Sequence, residues 1–200
     1  LVPALVEAGH EVLSMSRGKR TPYHGAAAWA KVQQLQINRT EEEKAGTFAA
    51  RVRELKAGAV VDLICYRLES AQVLAEALRG EVRHFLHCGT LWVHGPTEVA
   101  PASEAQARRP VGDYGIRKAA IEAYLLEMAQ RDGFPATVIH PGHIVGPGWT
   151  PINPAGNVNL GVFEALAAGR EVPLPDLGLA TLHHVHAADV FRRGFLANQD

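Results

Sequence analysis

The stretch Gly112-Asp113-Tyr114-Gly115-Ile116-Arg117-Lys118-Ala119-Ala120-Ile121-Glu122-Ala123-Tyr124 decides how the rest of the chain is read. It follows Pro110-Val111, opens on a turn, and carries the spacing of an amphipathic helix that reaches about residue 131. Tyr114 and Lys118 stand at i and i+4, so on a helix their side chains share one face. A phenol has an ordinary pKa of about 10, and a neighbouring ammonium pulls it down, which makes the pair a workable acid/base unit. Spacing alone does not establish that role, because Tyr and Lys at this interval more often form a solvated packing pair.

Two hundred residues, 47% hydrophobic and 20% charged, suffice for one well-buried domain. A formal net charge of −1 gives no electrostatic case for nucleic acid or for an anionic membrane. No apolar run approaches the roughly 18 residues of a membrane span. Cys65 and Cys88 lie in apolar runs without CxxC spacing. They read as buried free thiols in a reducing compartment, with cytoplasm as the default location. The chain opens on Leu1-Val-Pro-Ala-Leu-Val-Glu-Ala-Gly9, which reads as the body of a helix stopped by glycine and followed at once by a strand. With no basic leading region it does not read as a signal peptide, and the expectation is a fragment cut at both ends.

Outward from the Tyr114 helix, strand and helix alternate. Strand-like runs lie at 11–16, 31–37, 59–65, 83–88, 137–140 and 181–185, and helical patterns at 40–56, 70–78, 162–168 and from about 188. The 59–65 run is apolar but for Asp62 and reads as a strand buried on both faces. This alternation predicts an α/β fold with a mostly parallel sheet. Ligands of such sheets sit at the carboxyl ends of the strands, where Ser16-Arg17, Cys65-Tyr66-Arg67, Gly89-Thr90 and Pro141-Gly142-His143 would converge.

Several of these segments together resemble the extended short-chain dehydrogenase/reductase superfamily, the NAD-dependent epimerase/dehydratase type. Tyr114-Gly-Ile-Arg-Lys118 fits its YxxxK signature, and Phe85-Leu-His-Cys-Gly-Thr90-Leu-Trp-Val-His-Gly95 resembles the strand that ends in Ser or Thr before a Gly. His140-Pro-Gly-His-Ile-Val-Gly-Pro147 is similar to the segment lining the nicotinamide, and Leu182-His-His-Val-His-Ala-Ala-Asp189 to a later strand-to-helix junction. The resemblance covers essentially the whole chain. It implies a Rossmann-like doubly wound parallel sheet, with residues 1–145 as the NAD(P)-binding core and 146–200 as the start of a small C-terminal substrate-binding portion. The family's Gly-rich phosphate loop would lie just before Leu1. Gly89 stands where many relatives carry Ser, and His94 where many carry Tyr.

The resemblance also implies roles. Thr90, Tyr114 and Lys118 would be catalytic. Tyr114 would exchange a proton with the substrate oxygen, Thr90 would hydrogen-bond that oxygen, and Lys118 would tune the phenol and hold the nicotinamide ribose. Leu63, Ile64 and Cys65 would pass under the cofactor ribose, while Pro141, Gly142 and Ile144 would line the nicotinamide. Where NAD enzymes place an acid for the ribose 2′-OH, this chain has Ser16 and Arg17, which favours NADP over NAD because a guanidinium attracts a 2′-phosphate. Thr90, His143, Trp149 and Asn157 are candidate substrate contacts; asparagines in a Pro-rich loop are equally plain turn formers. His183, His184 and His186 lack the accompanying ligands of a zinc site, so no metal is expected.

The implied function is hydride transfer between a nicotinamide cofactor and a hydroxyl or carbonyl substrate such as a nucleotide sugar. Leu91 after Thr90, where dehydratases carry an acid, makes dehydration the least favoured reaction. The alternative is a catalytically silent NADP-binding sensor or scaffold of the same fold. Partners are a small-molecule substrate, neither nucleic acid nor membrane, with a homodimer left open.

Overall fold

The computed structural model describes residues 1–21, 27–96, 103–179 and 182–190. In chain order the elements are α1 (Val2–Glu7), β1 (Leu13–Ser16), β2 (Gln33–Gln36), α2 (Arg39–Lys44), α3 (Phe48–Glu54), β3 (Ala59–Asp62) and α4 (Leu68–Ala77). They continue as β4 (His84–Cys88), α5 (Gly112–Asp132), β5 (Ala136–Ile139), β6 (His143–Val145), α6 (Gly161–Ala167) and β7 (His184–His186), with short 3₁₀ turns at Ala27–Lys31, Leu91–Val93 and Pro175–Gly178. Residues 187–190 are helical, so the helix expected from 188 begins there; its continuation and Thr181 lie outside the described residues.

Two compact units divide the described residues. One gathers Met15–Lys19 and Gln34–Pro141, the other Leu1–Ser14, Arg20–Gln33 and the segment from Gly142 onward. In the first, β3, β4 and β5 form a parallel sheet in that order, with Asp62 opposite His87 and His87 opposite Val138. Its core packs α3 against α4, α4 against α5, and α5 against β5. Ile121, Leu125 and Met128 recur on one face of α5 and are buried, so the helix is held by an apolar stripe. Phe85 and Phe134 close the core with ring centroids 5.3 Å apart. Gly133 ends α5 in the left-handed region, at φ 68°, where a side chain would be strained.

In the other unit α1 stops before Gly9, as the glycine predicts, and packs on the 3₁₀ turn at Ala27–Lys31. There β6 pairs in parallel with β7, joining His143 to His184 and Val145 to His186. Between β1 and β2, Val12 accepts from Gln33 N–H (3.0 Å) and Ser16 from Ile37 N–H (2.8 Å). That equal offset is the mark of a parallel pair.

Two sequence expectations are corrected. The helix read over 40–56 is two helices, because Gly46 takes φ 71° and Thr47 turns back to bond the Glu42 carbonyl through both its N–H and its hydroxyl. The apolar run at 59–65 is paired only as far as Asp62, and β3 lies at the edge of its sheet. Leu63 and Ile64 are 47% and 55% exposed, so apolar composition marks more than the strand.

Candidate active site

Thr90 follows β4 and caps the 3₁₀ turn Leu91–Val93, its hydroxyl accepting from Trp92 N–H at 3.3 Å. The Tyr114 phenol lies near enough to that hydroxyl for Thr90 to pull on its pKa, so the strand end and the first turn of α5 meet at this point. Their closeness depends on Gly115. A Cβ there would lie 2.9 Å from the Trp92 carbonyl oxygen, and Val111 N–H bonds the same carbonyl at 3.2 Å. Tyr114 is 43% exposed, with the Trp92 ring edge-on and the Tyr66 ring tilted, each centroid 6.3 Å away.

Lys118 is buried to 1% exposure and donates to the Cys88 carbonyl at 2.7 Å, with its ammonium 5.1 Å from the centre of the Tyr66 ring. Burial lowers its pKa, while Cys88, Cys65 and Asp62 oppose that fall. The Tyr114 pKa is raised, chiefly by burial of the phenol; the Thr90 hydroxyl works against the rise, and Cys88 and Tyr66 add to it. The downward shift expected from the i, i+4 lysine is therefore not what the structure has: the ammonium is directed at the Cys88 carbonyl.

Around this pair the sequence candidates of the same unit take definite places. Ser16, at the end of β1, accepts from Gly18 N–H at 3.2 Å, and the Arg17 carbonyl takes Gln36 Nε2 at 3.3 Å, which leaves the exposed Arg17 guanidinium without an ion pair among the described residues. Leu63 and Ile64 are exposed just after β3, while Cys65 is buried and its thiol is pushed up to about 11 by burial and by Asp62. The Pro141 carbonyl accepts from Leu91 N–H at 3.3 Å, tying the end of β5 to the turn that Thr90 opens. Asp62, the single polar residue of its run, forms a forked pair with Arg39 (2.6 and 3.2 Å), which also bonds Glu43 at 2.7 Å.

Gly142, His143, Ile144, Trp149 and Asn157 belong to the other unit. Gly142 packs directly on His183, and His143 N–H bonds the His183 carbonyl at 2.7 Å. Burial lowers the His143 pKa, and His184 and His183 lower it further. Asn153 is fully buried and donates to Asn157 Oδ1 (2.7 Å) and the Asn159 carbonyl (2.9 Å), while Asn157 Oδ1 also takes Asn159 N–H at 2.9 Å. Both asparagines are thus engaged in shaping their own loop. The same unit holds a cavity of about 470 Å³, lined mainly by Pro151, Ile152, Phe163, Leu174 and Leu182 with His184 at its wall. That volume lies in the range usual for small-molecule sites. Trp149 is half exposed. Among the described residues, no three His, Cys, Asp or Glu side chains gather as a metal site, and no helix is long and apolar enough to cross a membrane.

The sequence placed Tyr66 in a strand-end cluster but gave it no role, and it missed Trp92, a single aromatic in the 3₁₀ turn with no periodicity to mark it. It also missed a polar group behind the site, in which Glu122, His140, His94 and Arg108 are joined by hydrogen bonds.

A parallel α/β sheet with Thr, Tyr and Lys gathered at its strand ends agrees with the comparisons to known proteins. Residues 1–199 match the NAD dependent epimerase/dehydratase family. The chain belongs to that family. A 2′-dehydrokanamycin reductase of Streptomyces kanamyceticus is 33% identical over 122 residues, which cover 61% of this chain and 32% of the relative. The family member described here therefore spans about a third of that relative's length. A UDP-glucose 4-epimerase of Thermotoga maritima superposes with a TM-score of 0.73 at 21% identity, over 99% of this chain and 68% of its own. The Bordetella bronchiseptica enzyme WbmG, solved with NAD, gives a TM-score of 0.71 at 18% identity, over 100% of this chain and 64% of its own. At these identities the structures establish the shared Rossmann-like fold.

Proposed function

We propose that this family member works as an NAD(P)-dependent oxidoreductase or epimerase on a hydroxyl or carbonyl substrate. The observation that carries the reading is the close approach of the Thr90 turn to the start of α5, which brings Thr90 and Tyr114 together with Lys118 buried one helical turn further on. The donor set fits a nicotinamide dinucleotide. The Lys118 ammonium makes one hydrogen bond within the protein and has two further N–H groups for ribose hydroxyls. Leu63 and Ile64 offer an open apolar surface for the ribose, and Arg17 presents an unpaired guanidinium for a phosphate. When bound, such a cofactor supplies the hydride-transfer chemistry.

The chain's own residues do the rest. The Thr90 hydroxyl, held by the Trp92 N–H it accepts, would fix the substrate oxygen beside Tyr114. Tyr114 gives that oxygen a proton or takes one from it. A phenol with a raised pKa holds its proton firmly, which suits donation to a carbonyl oxygen. Lys118 drawn from the Cys88 carbonyl toward a ribose hydroxyl would favour the phenolate and so the opposite direction. Trp92 and Tyr66 wall the phenol and can stack on a ring of the substrate. From the family resemblance alone, Pro141, Gly142 and Ile144 are assigned to the nicotinamide, His143, Trp149 and Asn157 to the substrate, and residues 1–145 and 146–200 to the cofactor and substrate portions. The relatives' names give UDP-glucose for one and 2′-dehydrokanamycin for another, and hydroxyl or carbonyl compounds are the class common to both.

The full-length gene product titrated with NADPH and NADH by fluorescence should bind at least one of them, and binding of neither would end this reading. Arg17→Ala should weaken NADPH about tenfold or more while leaving NADH nearly unchanged; equal losses would exclude NADP preference. Tyr114→Phe should keep cofactor affinity and lose turnover. A protein that binds cofactor but turns over no substrate before or after this change would be the silent sensor.

A further inference from the structure

Behind Thr90 and Tyr114, four side chains close a ring of hydrogen bonds. Arg108 Nε and Nη2 donate to Glu122 Oε1 at 3.1 and 2.9 Å. His140 Nε2 meets Glu122 Oε2 at 3.0 Å, His140 Nδ1 meets His94 Nε2 at 3.0 Å, and Arg108 Nη1 closes the circuit on His94 Nδ1 at 3.3 Å. Arg108 Nη1 also reaches the carbonyls of Glu104 and Gln106 at 3.0 Å, so the loop before α5 is held by the same group. Glu122 is 5% exposed, and the two imidazoles stand edge to face at 5.0 Å.

The two ends of the ring fix the direction of every bond in it. An ionised carboxylate only accepts and a guanidinium only donates. His140 must therefore carry its proton on Nε2 to serve Glu122, which leaves Nδ1 as an acceptor. His94 must then donate from Nε2, and its own Nδ1 becomes the acceptor for Arg108. All four sides of the ring are satisfied by one arrangement, with both imidazoles neutral and both in the Nε2–H tautomer, the Nη1 hydrogen toward His94 being shared with a loop carbonyl. One added proton breaks it. On His140 Nδ1 it faces the His94 donor; if His94 turns acceptor there, its proton moves to Nδ1 and faces Arg108.

The ring is tied to the site at three points. His94 ends the 3₁₀ turn that Thr90 opens, Glu122 lies one turn beyond Lys118 on α5, and His140 leads into Pro141, whose carbonyl holds Leu91. We infer that His94, His140, Glu122 and Arg108 act as positioning residues that hold the Thr90 turn in register with Tyr114 and Lys118, and that the ring closes only while both imidazoles are neutral. The charged and titratable groups facing His94 are Arg108 and Glu104 from the loop before α5, Glu122 from α5, and His140 from the end of β5. Burial lowers the His94 pKa and Arg108 and His140 lower it further, while Glu122 and Glu104 oppose. Burial pushes Glu122 up, but its bonds to His140 and Arg108 outweigh that and hold it low. Both directions favour the closed ring at neutral pH and open it in acid.

The assignment of roles to Thr90 and Tyr114 rests on the oxidoreductase reading, but the ring can be tested without cofactor or substrate, so the two can fail separately. Imidazole ¹⁵N–¹H correlation spectra of the chain at pH 7.5 should show His94 and His140 both as Nε2–H tautomers. Either one as an Nδ1–H tautomer would overturn the ring. On acidification the amide signals of Thr90, Trp92 and Tyr114 should move with the His94 midpoint; amides that stay fixed while His94 titrates would reduce the group to ordinary packing and overturn the positioning role. Arg108→Lys keeps a cation but loses the fork that joins Glu122 to His94, and should raise the His94 midpoint. Glu122→Gln should release the His140 tautomer, giving a mixture. If Glu122→Gln does not fold, Arg108→Lys alone decides: an unchanged His94 titration refutes the inference.

Discussion

His87 shows at the residue scale how a fold can set a proton equilibrium. It is fully buried on β4, and neither ring nitrogen has a hydrogen-bond partner among the described residues. Its pKa is pushed down to about 4 by burial first, with Lys118 and Arg39 adding to the fall and Asp62 and Glu122 opposing it. In the unfolded chain the same imidazole titrates near about 6.5. The folded state thus binds fewer protons, so stability is whole above about pH 6.5 and is lost as pH falls toward 4, by about 3 kcal/mol from this residue. His87→Leu removes an unpaired polar ring and should add about 1–2 kcal/mol at pH 7 while flattening urea stability between pH 6.5 and 4. A loss at pH 7 would mean that the ring is satisfied after all. Gly115 gives a second test. Helix propensity favours Gly115→Ala by about 1 kcal/mol, but the Cβ would press on the Trp92 carbonyl at a cost of about 1–3 kcal/mol. A net loss in the urea midpoint is expected, together with shifted Thr90 and Tyr114 signals.

Among the elements, α2, α3 and β3 are joined by charge as much as by apolar contact. Asp62 on β3 and Arg39 on α2 form a buried forked pair, and Arg39 also lies 4.8 Å from the centre of the Phe48 ring on α3. Removing one partner of such a pair strands the other, so Asp62→Asn should cost about 3–5 kcal/mol in urea unfolding. Arg51→Met breaks the more exposed pair with Glu42 and should cost no more than about 1 kcal/mol. Equal losses would contradict the burial argument. The long helix α5 is legible in the sequence because its apolar residues recur at helical spacing. The break between α2 and α3 is not, because residues 40–45 and 47–54 are all acceptable in one helix and only the positive φ of Gly46 divides them. β6 escaped for the opposite reason: three residues carry too little pattern to announce a strand.

For the whole molecule, the acid-sensitive groups add with one sign. His87, His94, His84 and His143 all have lowered pKa values, chiefly through burial, and Glu122 is held low by its two partners. Each loses stabilisation as pH falls, the histidines from about 6.5 downward and Glu122 below about 4.5. The urea midpoint should therefore be level just above pH 7 and fall steadily toward pH 4; a maximum near pH 5 would refute this. Cys65 offers an independent reporter, since it is 1% exposed with its thiol pushed up to about 11. Its alkylation at pH 8 should track unfolding rather than thiolate content.

The sequence by itself determined the α/β alternation, the glycine stop after α1, the approximate extent of α5, and the order of Thr90, Tyr114 and Lys118 along the chain. These follow from local propensity and periodicity, which short segments carry on their own. Tertiary structure alone decided that the Lys118 ammonium turns to the Cys88 carbonyl, that the Tyr114 phenol is raised rather than lowered, and that Asp62 is the partner of Arg39. It alone decided that Glu122, His140, His94 and Arg108 close into a ring. Their order along the chain says nothing of that closure, because burial and hydrogen-bond direction belong to residues that meet only when strand ends and helix are brought together.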